Sequence, residues 1–380
     1  MNSFEIARLR PPTENFSLAI LTHYFCPWSK CAFCPSNLFH KVRRFKRRSL
    51  EEIKQDIDNV VILNDYLWKM GIINQDTLLK AISEFPMLRE CFIHLACWYL
   101  YTNATTAFLG GTNPLLYHDD FLKEILIYLR DRIPTITRIT SYGRTKTASK
   151  KKISYFEQLN EEGLDRIHVG MESGSDNVLK FMNKGVTSEE HILGSQKIKD
   201  GGISLCCYVM PGLGGKKWSL EHAMETARVI NEIEPDYVRL RTLEIFPYTP
   251  LYNKWKKGEF TELTEQEVIE EEKIMVENIE CKTTITSDSA ANLLTEIWGI
   301  LPKDKKKILK VIDQYFALNT EEKLEFSLDR RLEAYKQQYG MLSQTIEKKL
   351  MRLSEFSKKN KLYYENMKKL IKYIRSRLIP

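Results

Sequence analysis

The feature that most constrains this chain is an alternation. Six short apolar stretches, near 17–22, 104–109, 136–141, 165–171, 204–210 and 237–243, are separated by longer segments with helical periodicity. Strands that alternate with helices in this way are the pattern of parallel βαβ units, so the fold class expected is α/β. The connections carry their own punctuation. Ser49 and Glu52 form an S-x-x-E capping box, after which Leu50, Ile53, Ile57 and Val60 fall on one helical face. Helices near 150–162 and 188–199 should stop at Gly163 and at Gly201-Gly202, where glycine accepts a left-handed cap.

The gap between the first two strands is long, and 64–101 holds enough apolar residues for one or two inserted helices. After the sixth strand the pattern becomes mainly helical, starting at a second capping box, Thr264 with Glu267, and including an amphipathic stretch at 303–318. The domain organisation expected is a core at 1–258, a helical region at 259–344 and a basic amphipathic tail at 345–380. That tail, from Thr345, carries 11 Lys and Arg against 3 Asp and Glu, so it holds a charge of +8 while the whole chain holds +7. The spacing of its apolar residues Ile346, Leu350, Leu353, Leu362, Leu370 and Ile374 suits a helix packed on the protein or one lying on a membrane surface.

With 380 residues, 43% of them hydrophobic and 28% charged, disorder is excluded as the main state. No apolar run is long enough to span a bilayer and the first residues lack a secretion pattern, so a cytoplasmic location is expected. Of eight cysteines, three are bunched in one short loop and the rest are scattered, which is not the layout of a disulfide framework.

That loop is Cys26-Pro-Trp-Ser-Lys-Cys31-Ala-Phe-Cys34, directly after the first strand. Active sites of α/β barrels sit at such C-terminal strand ends. Three thiolates around an iron–sulfur cubane leave one iron open to an external ligand. A mononuclear metal site with a fourth ligand, His23 or His40 being nearest in sequence, is the alternative.

The C-x4-C-x2-C spacing, with Phe33 before the last cysteine, resembles the signature of the radical S-adenosylmethionine (SAM) superfamily. It is closest in form to a branch related to the Elongator catalytic subunit, the radical methylthiotransferases and oxygen-independent coproporphyrinogen oxidase. The resemblance implies an open (βα)6 partial TIM-type barrel with a helical insertion after the first strand and a helical C-terminal extension. It implies a [4Fe–4S] cluster on Cys26, Cys31 and Cys34, SAM chelated at the open iron, and an electron donor such as flavodoxin or ferredoxin. SAM would be cleaved reductively to a 5′-deoxyadenosyl radical that abstracts hydrogen from a substrate, an oxidoreductase-type chemistry.

Later strand ends carry groups that resemble other family motifs. Gly110-Gly111-Thr112 stands where the family has GGE, with Thr112 in place of the acid; Ser141 and Arg144 stand where ribose or carboxylate contacts are implied. Gly170-Met-Glu172-Ser173-Gly174-Ser175 is similar to G-x-E-S-G-S and gives Glu172 a role toward SAM, while Gly212 lies in a glycine-rich turn similar to the stretch near adenine. Arg239 and Arg241 share one face of the sixth strand, either toward an anionic substrate or in salt bridges. Cys91, Cys97 and Cys281 read as buried small hydrophobes, and the vicinal Cys206-Cys207 as packing residues. Lys41 to Arg48 and the tail are two basic patches that fit RNA, anionic lipid or plain solvation. The substrate expected is a small molecule or lipid; RNA, or a non-catalytic cluster-binding role, are the alternatives.

Overall fold

A computed structural model describes residues 1–35, 44–71, 73–356 and 361–378. The strands are β1 (Leu18–Leu21), β2 (His23–Tyr24), β3 (Lys46–Arg47), β4 (Thr106–Gly110), β5 (Arg138–Gly143), β6 (Leu164–Glu172), β7 (Ser204–Val209), β8 (Tyr237–Leu240), β9 (Thr283–Thr286) and β10 (Trp298–Leu301). Eight of them form one sheet in the order β1-β4-β5-β6-β7-β8-β9-β10, and β2 pairs with β3 apart from it. Ladders β1/β4, β4/β5, β5/β6 and β8/β9 are parallel, whereas β9/β10 is antiparallel. Each of the six strands read from the sequence is present, in sequential order, with helices between successive members. This is the α/β succession of a partial TIM-type fold.

The chain divides into two compact units, Met1–Lys30 with Cys34–Met171 and Gly185–Cys207, and Cys31–Phe33 with Glu172–Lys184 and Tyr208–Pro380. In the first unit the helix Leu50–Lys69 begins at the Ser49/Glu52 capping box and buries Ile53, Ile57 and Val60 completely. Two further helices, Gln75–Glu84 and Arg89–Thr102, fill the long gap before β4. Gly163 and Gly202 take positive φ just beyond the helices Ile153–Glu161 and Ser188–Asp200. Arg48 is buried, donating to Asp56 at 2.5 Å and to the Leu21 carbonyl at 2.8 Å. It therefore leaves the basic surface stretch in which the sequence placed it. Lys46 and Arg47 on β3 remain exposed, and Lys41, Val42 and Arg43 lie outside the described residues.

In the second unit the helix Glu265–Asn278 starts at the Thr264/Glu267 box, and the amphipathic stretch forms the helix Lys305–Ala317. Between them lie β9 and β10, two strands in a region that read as mainly helical. Each is four residues long, too short to show a period beside the helical signal around it.

The tail packs on its own unit. Helices Thr320–Tyr339, Gln344–Ser354 and Lys361–Arg375 enclose a core of Leu328, Tyr335, Ile346, Leu353, Leu370 and Ile374. Arg375, itself buried, donates to Glu244 at 2.7 Å and also pairs with Glu262. Of the two readings the spacing allowed, packing is the one realised, since most of the apolar stripe is spent inside the protein; Leu362 stays exposed. Among the described residues no helix is long and apolar enough to cross a membrane.

Glu271 and Glu272 are both buried on the helix Glu265–Asn278. Glu271 accepts hydrogen bonds from the Gly212 amide and the Ser219 hydroxyl, each at 2.6 Å. Neither carboxylate oxygen of Glu272 has a hydrogen-bond partner. Burial first, and the neighbouring Glu271 second, push the Glu272 carboxyl up to about 8. A carboxyl whose folded pKa lies above its unfolded value binds a proton more tightly in the native state. Stability is therefore lost as pH rises from the ordinary carboxylate range to about 8. Glu272→Gln should raise the melting temperature relative to the native chain by several degrees at pH 8.5 and by little at pH 5. A difference that does not vary with pH would overturn this account.

Candidate functional site

In the first unit, parallel pairing of β1, β4 and β5 directs three successive strand ends to one edge, and the chain following each carries a predicted group. The cysteine loop begins there. Cys26, Cys31 and Cys34 are all half-buried, whereas Cys91, Cys206 and Cys207 are buried in packing. Cys97 and Cys281 are half-buried rather than fully enclosed. The Ser29 amide donates to Cys26 Sγ at 3.4 Å, the kind of contact that stabilises a thiolate. Phe25 and Ser29 take φ of 59° and 45°, a left-handed backbone on residues that are not glycine.

Trp28 is the anchor of this loop. Its indole lies where a side chain at Gly185 would have to go, 2.2 Å from an added Cβ, and Gly185 has φ of 69°. Lys30 and Arg144 both approach the ring, at 5.2 and 5.3 Å from its centroid. Arg144 thus touches the cysteine loop directly.

The Gly110-Gly111 pair closes against protein. A Cβ on Gly110 would stand 2.1 Å from that of Ala7, and one on Gly111 would stand 2.5 Å from the His23 ring, with φ of 108° besides. Packing inside the unit is therefore enough to require both glycines. Thr112, next in line, holds its hydroxyl oxygen buried and without a hydrogen-bond partner. His23 is fully buried, with Nδ1 3.0 Å from the Thr22 hydroxyl and Nε2 accepting from the Asn113 amide at 3.4 Å. Both ring nitrogens face protein groups, which argues against His23 as a fourth metal ligand; His40 lies outside the described residues.

Asn113 was not assigned a role from sequence, and it ties this edge together. Its side-chain oxygen accepts from the Arg144 amide at 3.0 Å and its amide group donates to Thr147 at 2.8 Å. Ser141 is buried and its hydroxyl shares its one proton between the Leu109 and Tyr142 carbonyls, each at 3.1 Å. Its capacity toward a ligand is limited to accepting.

The second unit holds Phe33, Glu172 and Gly212. Glu172 ends β6 with φ of 66°, and its carboxylate takes Lys184 Nζ at 2.9 Å. Lys184 also stands 5.8 Å from the centroid of Phe33, which is buried. Lys184 escaped sequence reasoning because nothing local marks it: it becomes Glu172's partner only when the chain returns past the helix Asp176–Phe181. That helix is capped by Ser175, which frees Glu172 from a capping role. Gly212, with φ of 86°, gives its amide to Glu271. Arg239 is buried in an ion pair with Asp288 at 2.6 Å, the salt-bridge alternative of its two readings, and Arg241 is half-buried.

Among the described residues no group of three or more His, Cys, Asp and Glu side chains is gathered as a ready metal site. The donor set nonetheless suits a cubane: three half-buried thiols within nine residues. The orphaned Thr112 hydroxyl suits SAM, because a buried polar atom without a partner costs free energy that a ligand group would recover.

These features define an α/β protein with a thiol-bearing loop and polar groups at the C-terminal ends of parallel strands. Residues 100–227 match the profile of the Radical SAM superfamily. The tRNA uridine(34) acetyltransferase of Methanocaldococcus jannaschii is 30% identical over 262 residues, covering 64% of this chain and 45% of that protein. The 4′-phospho-dehydrooxetanocin synthase of Priestia megaterium is 25% identical, covering 57% of this chain and 27% of the relative. Among solved structures, methylornithine synthase aligns with a TM-score of 0.43 and 14% identity over 77% of this chain and 68% of that one. The chain spans about half the length or less of these curated relatives. Over residues 100–227 the chain is thus similar to the radical SAM superfamily, whose enzymes use a [4Fe–4S] cluster and SAM, and the likeness fits the branch that the cysteine spacing suggested.

The glycine pair gives a direct test. Gly111→Ala should cost about 2–5 kcal/mol, the sum of an overpacked contact with His23 and a strained φ. Urea denaturation measures it; a change under about 0.5 kcal/mol would mean that the edge is not packed as described.

Proposed function

We propose that this chain is a radical SAM enzyme that cleaves SAM reductively and uses the resulting radical to remove hydrogen from a small-molecule substrate. The observation that carries the reading is the position of the Cys26–Cys34 loop: it follows the first parallel strand, at the edge where the Gly110–Thr112 and Ser141–Arg144 ends also lie. In this reading residues 1–258 are the catalytic core.

Cys26, Cys31 and Cys34 would hold the cluster as thiolates. When bound, a [4Fe–4S] cluster with one open iron would supply the electron that splits the S–C5′ bond of SAM. The chain's own residues do the rest. Arg144 has a planar fork suited to the methionyl carboxylate, and its contact with Trp28 couples that group to the cysteine loop. The Thr112 hydroxyl, buried and unpartnered, can accept a hydrogen bond from the methionyl ammonium in place of the acid of related motifs. Glu172 can take ribose hydroxyls or an ammonium, in which case Lys184 supports its charge. Phe33 supplies an apolar wall that keeps water from the reacting carbon.

RNA is the second substrate reading. It is favoured by the tRNA-acting relative and by exposed Lys46 and Arg47 on β3. A lipid substrate met through the tail loses its basis, because the tail's apolar face is buried.

The experiment is anaerobic reconstitution with iron and sulfide, reduction, addition of SAM and assay of 5′-deoxyadenosine. The native chain should release it, and a variant with alanine at Cys26, Cys31 and Cys34 should fall to background. A native chain that assembles an intact, reducible cluster yet releases no 5′-deoxyadenosine would remove the enzymatic reading and leave a cluster-binding module.

A further inference from the structure

The first unit contains an open cavity of about 550 Å3, of whose lining the proposed chemistry uses Arg144 alone. Five cationic side chains line it, Arg144, Lys146, Lys150, Lys151 and Lys152, against one carboxylate, Asp119. Leu115 and Leu116, from the turn after β4, also line it, while the cations come from the chain after β5. Both segments follow C-terminal strand ends, so the cavity opens on the edge that carries the cysteine loop.

Two of these lysines, Lys146 and Lys151, have carboxylate partners, and two others do not. Lys151 donates to Asp119 at 2.7 Å and to the Tyr117 carbonyl at 2.9 Å. Lys146 pairs with Glu190 at 3.1 Å. Lys150 and Lys152, both exposed, take part in no ion pair with the described residues. Holding five cations around one cavity raises their mutual repulsion, and an anion placed among them relieves it. A single carboxylate such as that of SAM needs one arginine fork, and the four lysines exceed that need. Multiply charged phosphate oxygens accept from several ammonium groups at once. The volume is that of a small-ligand pocket.

We infer that this cavity binds the phosphate group of a phosphorylated small-molecule substrate, of about nucleotide size, and so holds its reacting carbon near the SAM-binding edge. The inference rests on the radical SAM reading above and adds the substrate class. Lys150 and Lys152 reach the phosphate, and Arg144 is shared between it and SAM.

The test uses the full reconstituted chain, with calorimetric titration of pyrophosphate, uridine monophosphate and an RNA oligonucleotide. Pyrophosphate and the nucleotide should bind the native chain. Lys150→Ala with Lys152→Ala should weaken both by about tenfold or more, as loss of two charge-assisted contacts implies, while Lys150→Arg with Lys152→Arg restores them. SAM-dependent 5′-deoxyadenosine release, measured in parallel, should be unchanged in both variants. Equal binding by native and alanine chains, or no binding of either small phosphate, overturns the site. Binding of RNA alone, falling steeply with salt, overturns it in favour of a nucleic-acid surface. Phosphate binding that persists without any 5′-deoxyadenosine release would uphold the site and count against the radical chemistry instead.

Discussion

The parallel ladder is the constraint on which the rest depends. When β1, β4 and β5 run the same way, every return must cross by a helix, and every C-terminal end emerges at one edge. Residues as far apart in sequence as Cys26, Thr112 and Arg144 then need only short segments of chain to share that edge. The N-terminal segment closes the arrangement, pairing Ile6 with Ile20 and filling with Ala7 the space beside Gly110. The glycines here serve the approach of one protein segment to another first. Whatever ligand lies nearby inherits a backbone that packing has already fixed.

Of the eight non-glycine residues with positive φ among the described residues, three lie where the chemistry is proposed. Phe25, Ser29 and Glu172 all hold positive φ without being glycine, each at a cost of about 1–3 kcal/mol. Two of them flank the first cysteine, and the third carries the carboxylate that resembles a SAM contact. Both places have strong supports nearby. The indole of Trp28 is seated on Gly185, and Met210 donates its amide to the Glu172 carbonyl at 2.9 Å. A relaxed loop would leave three thiols free to sample many arrangements; a strained one, fixed by an aromatic anchor, restricts them before any cluster arrives.

Much of the fold was legible because its signals are local. Capping boxes at Ser49 and Thr264 formed as written, and the six apolar strands appeared in order. The cysteine loop and the Gly-Gly, Ser-x-x-Arg and G-x-E-S-G-S segments were legible as motifs for the same reason. What escaped depends on distant partners. Two four-residue strands, β9 and β10, are defined by pairing with β8 and with each other rather than by their own period. Lys184 acquires meaning from Glu172, and Arg48 lost its place on the surface to Asp56. No composition rule distinguishes these lysines and arginines from solvated ones, because the decisive term is the desolvation of a pair that the fold brings together.

The same reasoning separates the basic tail, which the sequence marked, from the lysines after β5, which it did not. In the tail, Arg375 is consumed by Glu244 and Glu262, and the helices that carry the lysines are held by an apolar core. Charge there lies on the outer face of a packed element, and solvation accounts for it. After β5 the lysines instead line a concavity, two of them without a protein counter-ion, beside an arginine that touches the cysteine loop. Concave charge is focused by the low-dielectric walls around it, whereas convex charge is dispersed into water. A net count of +8 in the tail therefore carries less functional meaning than five cations around one cavity. The geometry that decides this is set by the turn at Leu115 and the short helix Thr145–Ala148, held together through Asn113.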